Sequence, residues 1–381
     1  MKKFLSIVLT VCVLASFLGC EKLITDLLEE SPAYSFLGKG SYSGDYWPTY
    51  GWRSCRPEEV NMDPEKLMKV YEYVSNPNIN TDGILIVKDG YIVGEAYFNG
   101  YTKNINHNGQ GMTIGFTNAL IGIALDKGLI GSIDEEIYHY FPQLQTNDTP
   151  EIKKRIRIRH LLNMTAGLDW ENYEYNNHGD NGRMYERGIV DFIEYVLAKP
   201  VITEPGTDWF YSDGTAILPT GIIEKVTNQR AYHFAEENLF QPLGISDVYW
   251  ESDPAGHTIT AWGIHTTVRN FAKFGYLYLN EGQWGDQQIV PNVWVKESTT
   301  AISDSLNHFG MQWWLPPAFS EYKNIDIPEK TFIAMGGFIQ RIFVVPEKNI
   351  VVVRVGNDVE TTDGQWSSLK FLRLVLDAVK E

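Results

Sequence analysis

The stretch FTNALIGIAL, residues 116–125, is apolar on almost every side when it is wound as a helix. A surface helix keeps a polar face toward water, so a helix of this composition is stable only inside a protein. We therefore predict a buried central helix. The glycines at 109, 111 and 115 leave its N-terminus bare. Two interpretations stay open: exposed N–H groups that attract carboxylates or other anions, or glycines that only relieve crowding.

Upstream of this helix, the pattern predicts a first helix and then a β-hairpin. Asp63 is a typical N-cap, Pro64 suits the first helical position, and apolar residues follow at 67, 70, 71 and 74. The runs GILIVKD (83–89) and YIVGEAYF (91–98) are rich in β-forming residues and meet at Asp89-Gly90. That dipeptide is the strongest short hairpin signal, so an antiparallel sheet starts here.

Downstream, helical patterns come first and strands return near the end. IRHLLNM (158–164) and GIIEKVTNQRAYHFAEENLF (221–240) read as helices. TFIAM (331–335), QRIFVV (340–345) and IVVVRV (350–355) read as strands, before a last helix from about Trp366 to Val379. The order predicts a mixed α/β fold of the α+β type. Its antiparallel sheet (about 51–110 and 255–381) is covered by the first and last helices, and a mostly helical subdomain (about 111–254) is inserted.

The N-terminus has the form of an exported bacterial precursor. Lys2 and Lys3 precede an apolar run that ends at Gly19-Cys20, and a small residue directly before a cysteine resembles the lipobox of lipoproteins. We predict a signal peptide over residues 1–19, lipid on Cys20 as the contact with the membrane, and a tether over 20–50. The alternative is an ordinary signal peptide that leaves Cys20 free. The predicted location is the bacterial cell envelope, on the periplasmic or cell-surface side.

Charge and cysteine content narrow the function classes. The formal charge is −16, and it becomes −18 once residues 1–19, with two lysines and no acids, are removed. Polyphosphate would be repelled, and the one basic cluster, residues 153–159, is interpreted as a solvated surface. We therefore exclude nucleic acid as a partner. Without Cys12 and Cys20 the mature body keeps only Cys55, so it has no internal disulfide.

From about Trp52 to the end, the chain resembles the β-lactamase-related serine hydrolases. That family includes class C β-lactamases, penicillin-binding DD-peptidases, esterases and aminohexanoate-dimer hydrolases. The sequence around the hairpin and Trp313-Trp314 is most similar to that of the aminohexanoate-dimer hydrolases. The carriers are LIVKDGYIVGEAYFNGY (85–101), FTNALIGIALDKGLIGSIDEEIYHYFPQL (116–144), IRIRHLLNMTAGLDW (156–170), EPGTDWFYSDG (204–214), LFQPLGI (239–245), FAKFGYLYLNEGQW (271–284), FGMQWWL (309–315) and QRIFVVPEKNIVVV (340–353).

The resemblance implies a Ser-x-x-Lys dyad at the start of the central helix, and this chain lacks it. Phe116 to Gly122 fix the register, so the dyad falls on Gly111-Met112-Thr113-Ile114. Glycine has no atom that could attack a carbonyl, and isoleucine can neither accept nor donate a proton. The acyl-enzyme route of the family is therefore closed.

Two further motifs of the family are altered. Tyr211-Ser212-Asp213 occupies the position of the family's Tyr-x-Asn motif. The tyrosine is present, and an aspartate replaces the asparagine. Tyr211 is then either the family's proton-relay tyrosine or only a pocket-lining aromatic. The edge-strand motif falls on Met335-Gly336-Gly337-Phe338-Ile339, where the resemblance implies glycines at the last two positions. We expect Phe338 and Ile339 to narrow the cleft, which Trp314, Gly336 and Gly337 also line.

Other candidate chemistry is weak. Thr113 lies about 200° around the helix from Gly111 and points away from the pocket, Ser212 has no evident base, and Ser367-Ser368-Leu369-Lys370 is interpreted as a coincidence on the last helix. The histidines lack metal-ligand spacing, so we predict no metal and no cofactor. The loop from Asp169 to Gly182 is interpreted as a lid, with Tyr173 facing a ligand or simply packing.

Two functions follow from these residues. The first is a catalytically inactive member that binds a peptide, amide or cell-wall-like ligand at the membrane surface. The second is an active amidase or esterase that uses a relocated nucleophile, or water activated near Tyr211 and Asp213.

Overall fold

A computed structural model describes residues 35–172, 179–186, 188–320, 322–358 and 366–380. Its strands are β1 (Thr81–Lys88), β2 (Tyr91–Tyr97), β3 (His107–Asn108), β4 (Val248–Trp250), β5 (Ile264–Thr266), β6 (Gln283–Trp284), β7 (Gln287–Gln288), β8 (Phe332–Gly336), β9 (Gln340–Val345) and β10 (Ile350–Gly356). Its α-helices are α1 (Pro64–Val74), α2 (Thr113–Asp126), α3 (Glu151–Lys154), α4 (Ile158–Leu162), α5 (Asp180–Arg183), α6 (Phe192–Leu197), α7 (Asp213–Thr227), α8 (Ala231–Ala235), α9 (Val268–Leu279), α10 (Asn292–Ser298) and α11 (Ser368–Asp377).

The main sheet is antiparallel and joins both ends of the chain, as the sequence predicted. Its strand order is β2-β1-β10-β9-β8, so the N-terminal hairpin lies directly beside the C-terminal strands, with Val87 opposite Val351. The hairpin turns at Asp89 and Gly90, whose φ angles are 49° and 81°. Positive φ at both central residues is what a tight two-residue turn requires.

The sheet is buried on both faces because successive side chains alternate between two cores. Ile84 and Ile86 pack in the core beneath α1 and α11. Leu85 and Val87 pack in the larger core that extends to α2 and α9. The terminal helices therefore cover one face, as predicted, while α9 and the inserted helices cover the other.

Helix α1 begins where its capping residues predicted. The Asp63 carboxylate accepts hydrogen bonds from the backbone N–H groups of Glu65 (2.9 Å) and Lys66 (3.2 Å). The apolar face of the helix then buries Leu67, Val70 and Val74. Capping of this kind is worth about 1 kcal/mol.

Helix α2 is the buried central helix. Every residue from Thr113 to Ala124 is buried, so the apolar composition of 116–125 is satisfied on all sides. A Cβ atom at Gly122 would clash with the indole ring of Trp294. The glycine thus lets α10 approach α2, and the Trp294 indole N–H donates to the Asn118 carbonyl oxygen (3.0 Å).

The predicted subdomain boundaries are bridged by a second sheet. Its order is β3-β5-β4, and these strands come from residues before, after and within the predicted insertion. His107 pairs with Thr266, and Val248 pairs with the same residue on its other side. Backbone hydrogen bonds therefore tie β4, from the predicted insertion, to β5 and β3, from the predicted sheet subdomain, close to the start of α2.

The tether prediction has to be corrected for residues 35–50. Phe36 is buried, its carbonyl oxygen accepts from the Glu95 N–H (2.9 Å), and the Gly38 N–H donates to the Val93 carbonyl oxygen (2.9 Å). Farther on, the Thr49 hydroxyl accepts from the Trp284 indole N–H (2.7 Å). These contacts are single residues at irregular spacing, so no periodic pattern revealed them. Residues 20–34 lie outside the described part of the chain.

The basic cluster at 153–159 is only partly a solvated surface. Arg155 pairs with Glu204, and Arg159 pairs with Asp134, both at exposed positions. Lys153 is buried instead, and its ammonium group donates to the Leu197 carbonyl oxygen (2.7 Å). A cation near the last carbonyl groups of a helix is favourable, so this lysine stabilises the end of α6.

Candidate functional site

A cavity of about 390 Å³ lies between the N-terminus of α2, the start of α7 and the end of β8. Its walls combine aromatic rings with a few polar side chains, which is typical of ligand pockets. The lining residues are Gln110, Gly111, Asn181, Tyr185, Tyr211, Asp213, Trp262, Trp314, Met335, Gly336, Gly337 and Arg341. Tyr211, Asp213, Trp314, Gly336 and Gly337 are thus brought together around Gly111.

Gly111 stands where three parts of the site meet. It lies in a short 3-10 turn, Gln110–Met112, just before α2. A Cβ atom on it would lie 2.9 Å from the Met335 carbonyl oxygen and 3.3 Å from the Tyr211 hydroxyl. Ile114 is fully buried in the large core and does not line the cavity. Neither residue offers a group that could attack or deprotonate a ligand.

Tyr211 and Asp213 are neighbours in the cavity, and Ser212 is not. The Asp213 carboxylate accepts from the Asn181 side-chain amide (2.6 Å) and shares a hydrogen bond with the Tyr211 hydroxyl. Asn172 fixes the backbone here, since it donates to the Tyr211 carbonyl oxygen (2.9 Å) and accepts from the Asp213 N–H (3.0 Å). The Ser212 hydroxyl accepts from the Thr215 N–H (3.1 Å) as the N-cap of α7. Ser212 therefore does not line the pocket.

Burial controls the charge of the Asp213 carboxyl. Removal from water raises its pKa, and the hydrogen bonds from Asn181 and Tyr211 only partly oppose that effect. Unfolding exposes the group to water, where it ionises more readily. The protonated Asp213 carboxyl therefore makes its full contribution to the free energy of unfolding at pH values below its pKa in the unfolded chain. That contribution is lost as the pH rises through its pKa in the folded protein.

Replacing Asp213 by Asn is expected to raise the melting temperature at neutral pH. Asparagine keeps an acceptor for Asn181 and has no charge to bury, so the gain should be small near pH 4 and grow toward pH 7. Thermal unfolding of both proteins at pH 4, 5.5 and 7 would measure it. A gain that is equal at all three pH values would contradict the titration of Asp213.

The turn after β8 has a left-handed backbone at two bulky residues. Phe338 and Ile339 have φ angles of 56° and 62°, a region that costs roughly 1–2 kcal/mol per residue for side chains other than glycine. Glycine adopts this conformation without that cost, so it would suit both positions. The turn also corrects the expected narrowing of the cleft: Phe338 is 49% exposed, Ile339 is buried in the opposite core, and neither lines the cavity.

Side chains beneath the turn hold its carbonyl groups. Arg341 Nη1 donates to the Gly336 carbonyl oxygen (2.9 Å), and Gln340 Nε2 donates to that of Phe338 (3.3 Å). Arg354 Nη1 donates to both Phe338 (3.2 Å) and Ile339 (3.0 Å). A trans peptide points its N–H away from its C=O. The clamp on the Gly336 carbonyl therefore fixes the direction of the Gly337 N–H.

The remaining candidates lie away from the cavity or outside the described residues. The Thr113 hydroxyl is buried, donates to the Gln110 carbonyl oxygen (2.7 Å) and accepts from the Ile264 N–H (3.3 Å). It does not line the pocket, because it faces β5. Ser368 is buried on α11 and accepts from Arg341 Nε (3.2 Å). Tyr173 and Cys20 are not among the described residues.

Sequence reasoning missed several lining residues, chiefly Gln110, Asn181, Tyr185, Trp262 and Arg341. Asn181 was within the loop interpreted as a lid, and Tyr185 follows closely, so that loop was the available signal. Arg341 lies in a strand segment that indicated only the fold, and no motif included Trp262. In the described part of the chain, no group of three His, Cys, Asp or Glu side chains is arranged to hold a metal ion. No described helix has the length and apolar character needed to cross a membrane.

Known proteins share this fold and parts of this sequence. A 24% identical stretch of 325 residues aligns with the Escherichia coli K12 "Putative D-alanyl-D-alanine carboxypeptidase", covering 68% of this chain and 74% of the relative. A Salmonella agona protein of the same name is 24% identical over 246 residues, which cover 57% of this chain. The chain spans about half of that relative's length, 55%.

Solved structures agree on the fold. The "Putative 6-aminohexanoate-dimer hydrolase" from Bacillus anthracis has a TM-score of 0.66 at 19% identity, with 81% of this chain and 79% of that chain covered. The octameric penicillin-binding protein homologue from Pyrococcus abyssi has a TM-score of 0.60 at 18% identity, covering 82% and 76%. The fold is therefore that of the β-lactamase-like and penicillin-binding-protein-like serine hydrolases.

A family model described as Beta-lactamase matches residues 70–368, well over half of the chain. The match includes the turn at Gly111, the Tyr211–Asp213 segment and the β8 edge. The protein belongs to the Beta-lactamase family.

Proposed function

We propose that this protein is a non-hydrolytic member of its family that binds a peptide, amide or cell-wall-like ligand in the bacterial cell envelope. One observation carries the proposal. Among the described residues, those that line the cavity include no serine, threonine, cysteine, lysine or histidine. A binding pocket is thus present without a nucleophile and its base.

The expected loss of turnover without a nucleophile supports a non-hydrolytic function. Loss of a serine hydrolase's nucleophile lowers turnover by a factor on the order of 10⁶. Backbone N–H groups near Gly111 and Gly337 can still orient a carbonyl group. Orientation alone, however, makes hydrolysis only about 10³–10⁴ times faster than the uncatalysed reaction in water. Binding, with signalling or scaffolding as its consequence, is therefore the activity that the remaining groups can support.

Labelling tests the proposal directly. The mature protein should stay unmodified by a fluorophosphonate serine probe and by a fluorescent penicillin, because Gly111 offers no atom to acylate. Mass spectrometry of the intact protein would show the result. Stoichiometric label on any residue would overturn the proposal and identify a relocated nucleophile.

A second candidate function is hydrolysis by activated water. The observation that favours it is the contact between Tyr211 and Asp213, because the raised pKa of the Asp213 carboxyl is compatible with a general base. This mechanism leaves no covalent label, so turnover must be measured separately. Hydrolysis of a chromogenic ester by the wild type that disappears in Tyr211→Phe and Asp213→Asn would support it over the binding function.

Attachment to the membrane through Cys20 is the remaining part of the proposal. Gly19-Cys20 after a short apolar run supports lipidation, and relatives named as bacterial carboxypeptidases of D-alanyl-D-alanine support a cell-envelope location. The Cys20→Ala variant is expected to move from the membrane fraction to the soluble fraction. If it stays in the membrane fraction while Cys55→Ala behaves like wild type, lipid on Cys20 is not the anchor.

A further inference from the structure

Four aromatic side chains form two walls of the cavity. On one wall, the Trp262 indole N–H donates to the Tyr185 hydroxyl (3.1 Å). On the other, the rings of Tyr211 and Trp314 lie 5.5 Å apart, and Phe309 supports Trp314 at 5.1 Å. The rings are held in place before any ligand arrives, so stacking on them costs little ordering of side chains.

Aromatic surface is also exposed around the cavity. Tyr185 is 62% exposed, and Phe210, which precedes Tyr211, is 55% exposed. Apolar surface that gathers at a pocket marks a binding site more often than scattered exposed residues do.

The polar part of the cavity suits a ligand without net charge. Asp213 and Arg341 have opposite formal charges, and the other lining residues of the described chain have none. The side chains of Gln110, Asn181, Asp213 and Arg341 are planar groups, which together contain donors and acceptors. Such groups match adjacent hydroxyl groups, each of which both donates and accepts.

The outer edge of β8 has little free backbone to which an extended peptide could hydrogen-bond. A peptide would bind by adding a strand to this edge. However, Trp314 already pairs with it, since its N–H donates to the Ile333 carbonyl oxygen (2.9 Å) and its carbonyl accepts from the Ile333 N–H (2.8 Å). Gly336 then packs so closely on the turn before α2 that a Cβ atom would clash with the Gly109 carbonyl oxygen. Only the backbone around Met335 is left between these contacts.

We propose that the cavity recognises a saccharide, with a pyranose ring stacked against the aromatic walls and its hydroxyl groups bonded to the planar polar side chains. The C–H groups on a pyranose face carry partial positive charge and are attracted to the negative faces of aromatic rings. The inference rests on the proposed function, because it names the ligand class of the same non-hydrolytic site.

Calorimetric titration of the mature protein with tri-N-acetylchitotriose tests the inference. Nα,Nε-diacetyl-Lys-D-Ala-D-Ala serves as the peptide probe in parallel. Tyr185→Ala should weaken trisaccharide binding by about tenfold, and Trp262→Phe, which keeps a ring, by less. The matched control is Tyr249→Ala, because Tyr249 is similarly exposed at 59% and does not line the cavity.

The outcomes separate the two proposals. Trisaccharide binding that is weakened by Tyr185→Ala and unchanged by Tyr249→Ala supports the saccharide site. Binding of the peptide alone, of neither probe, or of the trisaccharide with equal affinity in both variants overturns it. Covalent labelling or ester turnover by the wild type would instead overturn the non-hydrolytic function, whichever probe binds.

Discussion

The double variant Gly111→Ser/Ile114→Lys is expected to hydrolyse a chromogenic short-chain ester at least about 10³ times faster than the wild type, which should be silent. The new serine Cβ would lie 3.3 Å from the Tyr211 hydroxyl, so its oxygen enters the cavity beside the tyrosine. A lysine at 114 is one turn along the chain, and burial would lower its pKa toward that of a useful base. Initial rates with p-nitrophenyl acetate would measure the gain.

The same substitutions should lower stability. A Cβ atom at 111 lies only 2.9 Å from the Met335 carbonyl oxygen, so β8 must shift by a few tenths of an ångström. Crowding of this kind typically costs about 1–3 kcal/mol, and the lysine replaces a fully buried isoleucine. Near-UV circular dichroism would establish that the variant is folded before its rate is interpreted.

Two controls make the result decisive. Gly111→Ser alone supplies the nucleophile without the lysine and should remain far slower than the double variant. Ser367→Ala removes the Ser-x-x-Lys sequence on α11 and should leave every rate unchanged. A wild type that hydrolyses the ester as fast as the double variant would show that another nucleophile is at work.

Arg354→Met is expected to cause the largest loss of stability, about 3–5 kcal/mol. Arg354 is fully buried, and burial lowers its pKa to about 10. Its guanidinium pairs with Asp358, bonds the Phe338 and Ile339 carbonyl oxygens, and lies 4.7 Å from the Trp366 ring centroid. Methionine fills similar volume but removes the side-chain donor of the Ile339 carbonyl and the cation beside Asp358, while Phe338 keeps only the hydrogen bond from Gln340.

Urea unfolding followed by fluorescence would measure the change. The matched control is Arg373→Met on α11, where the arginine is 38% exposed and pairs with Asp377. An exposed pair is worth at most about 1 kcal/mol, so this variant should unfold almost as the wild type does. If both variants shift equally, the buried network around Arg354 is not what stabilises the turn.

The sequence predicted the framework well because each element carried its own local signal. The Asp63 cap, the Asp89-Gly90 turn and the apolar run from 116 to 125 each depend on neighbouring residues, and all three are confirmed. One antiparallel sheet built from both ends of the chain was also predicted and is confirmed, but the pairing of β1 with β10 was not specified. The Tyr211–Asp213 segment and the glycines after Met335 were placed at the site through the family's motifs.

What the sequence could not predict depends on contacts between distant segments. Nothing local indicates that Ser212 caps α7, that Trp262 meets Tyr185, or that Phe338 turns out of the cleft. The left-handed backbone at Phe338 is held by Arg354, which lies on another strand. Packing at residues 35–50 was missed for the same reason, since its contacts follow no period.

The segment before Cys55 also bears on edge-to-edge pairing between copies of the protein. β2 is the outer strand of the main sheet, and an unpaired outer strand is a template for aggregation. Leu37 pairs with Gly94, and Ser54 pairs with Ile92 from the same side, so the chain shields its own edge. A recombinant form that starts after residue 55 would uncover this edge and is expected to aggregate, whereas one that starts before Ser35 should stay dispersed.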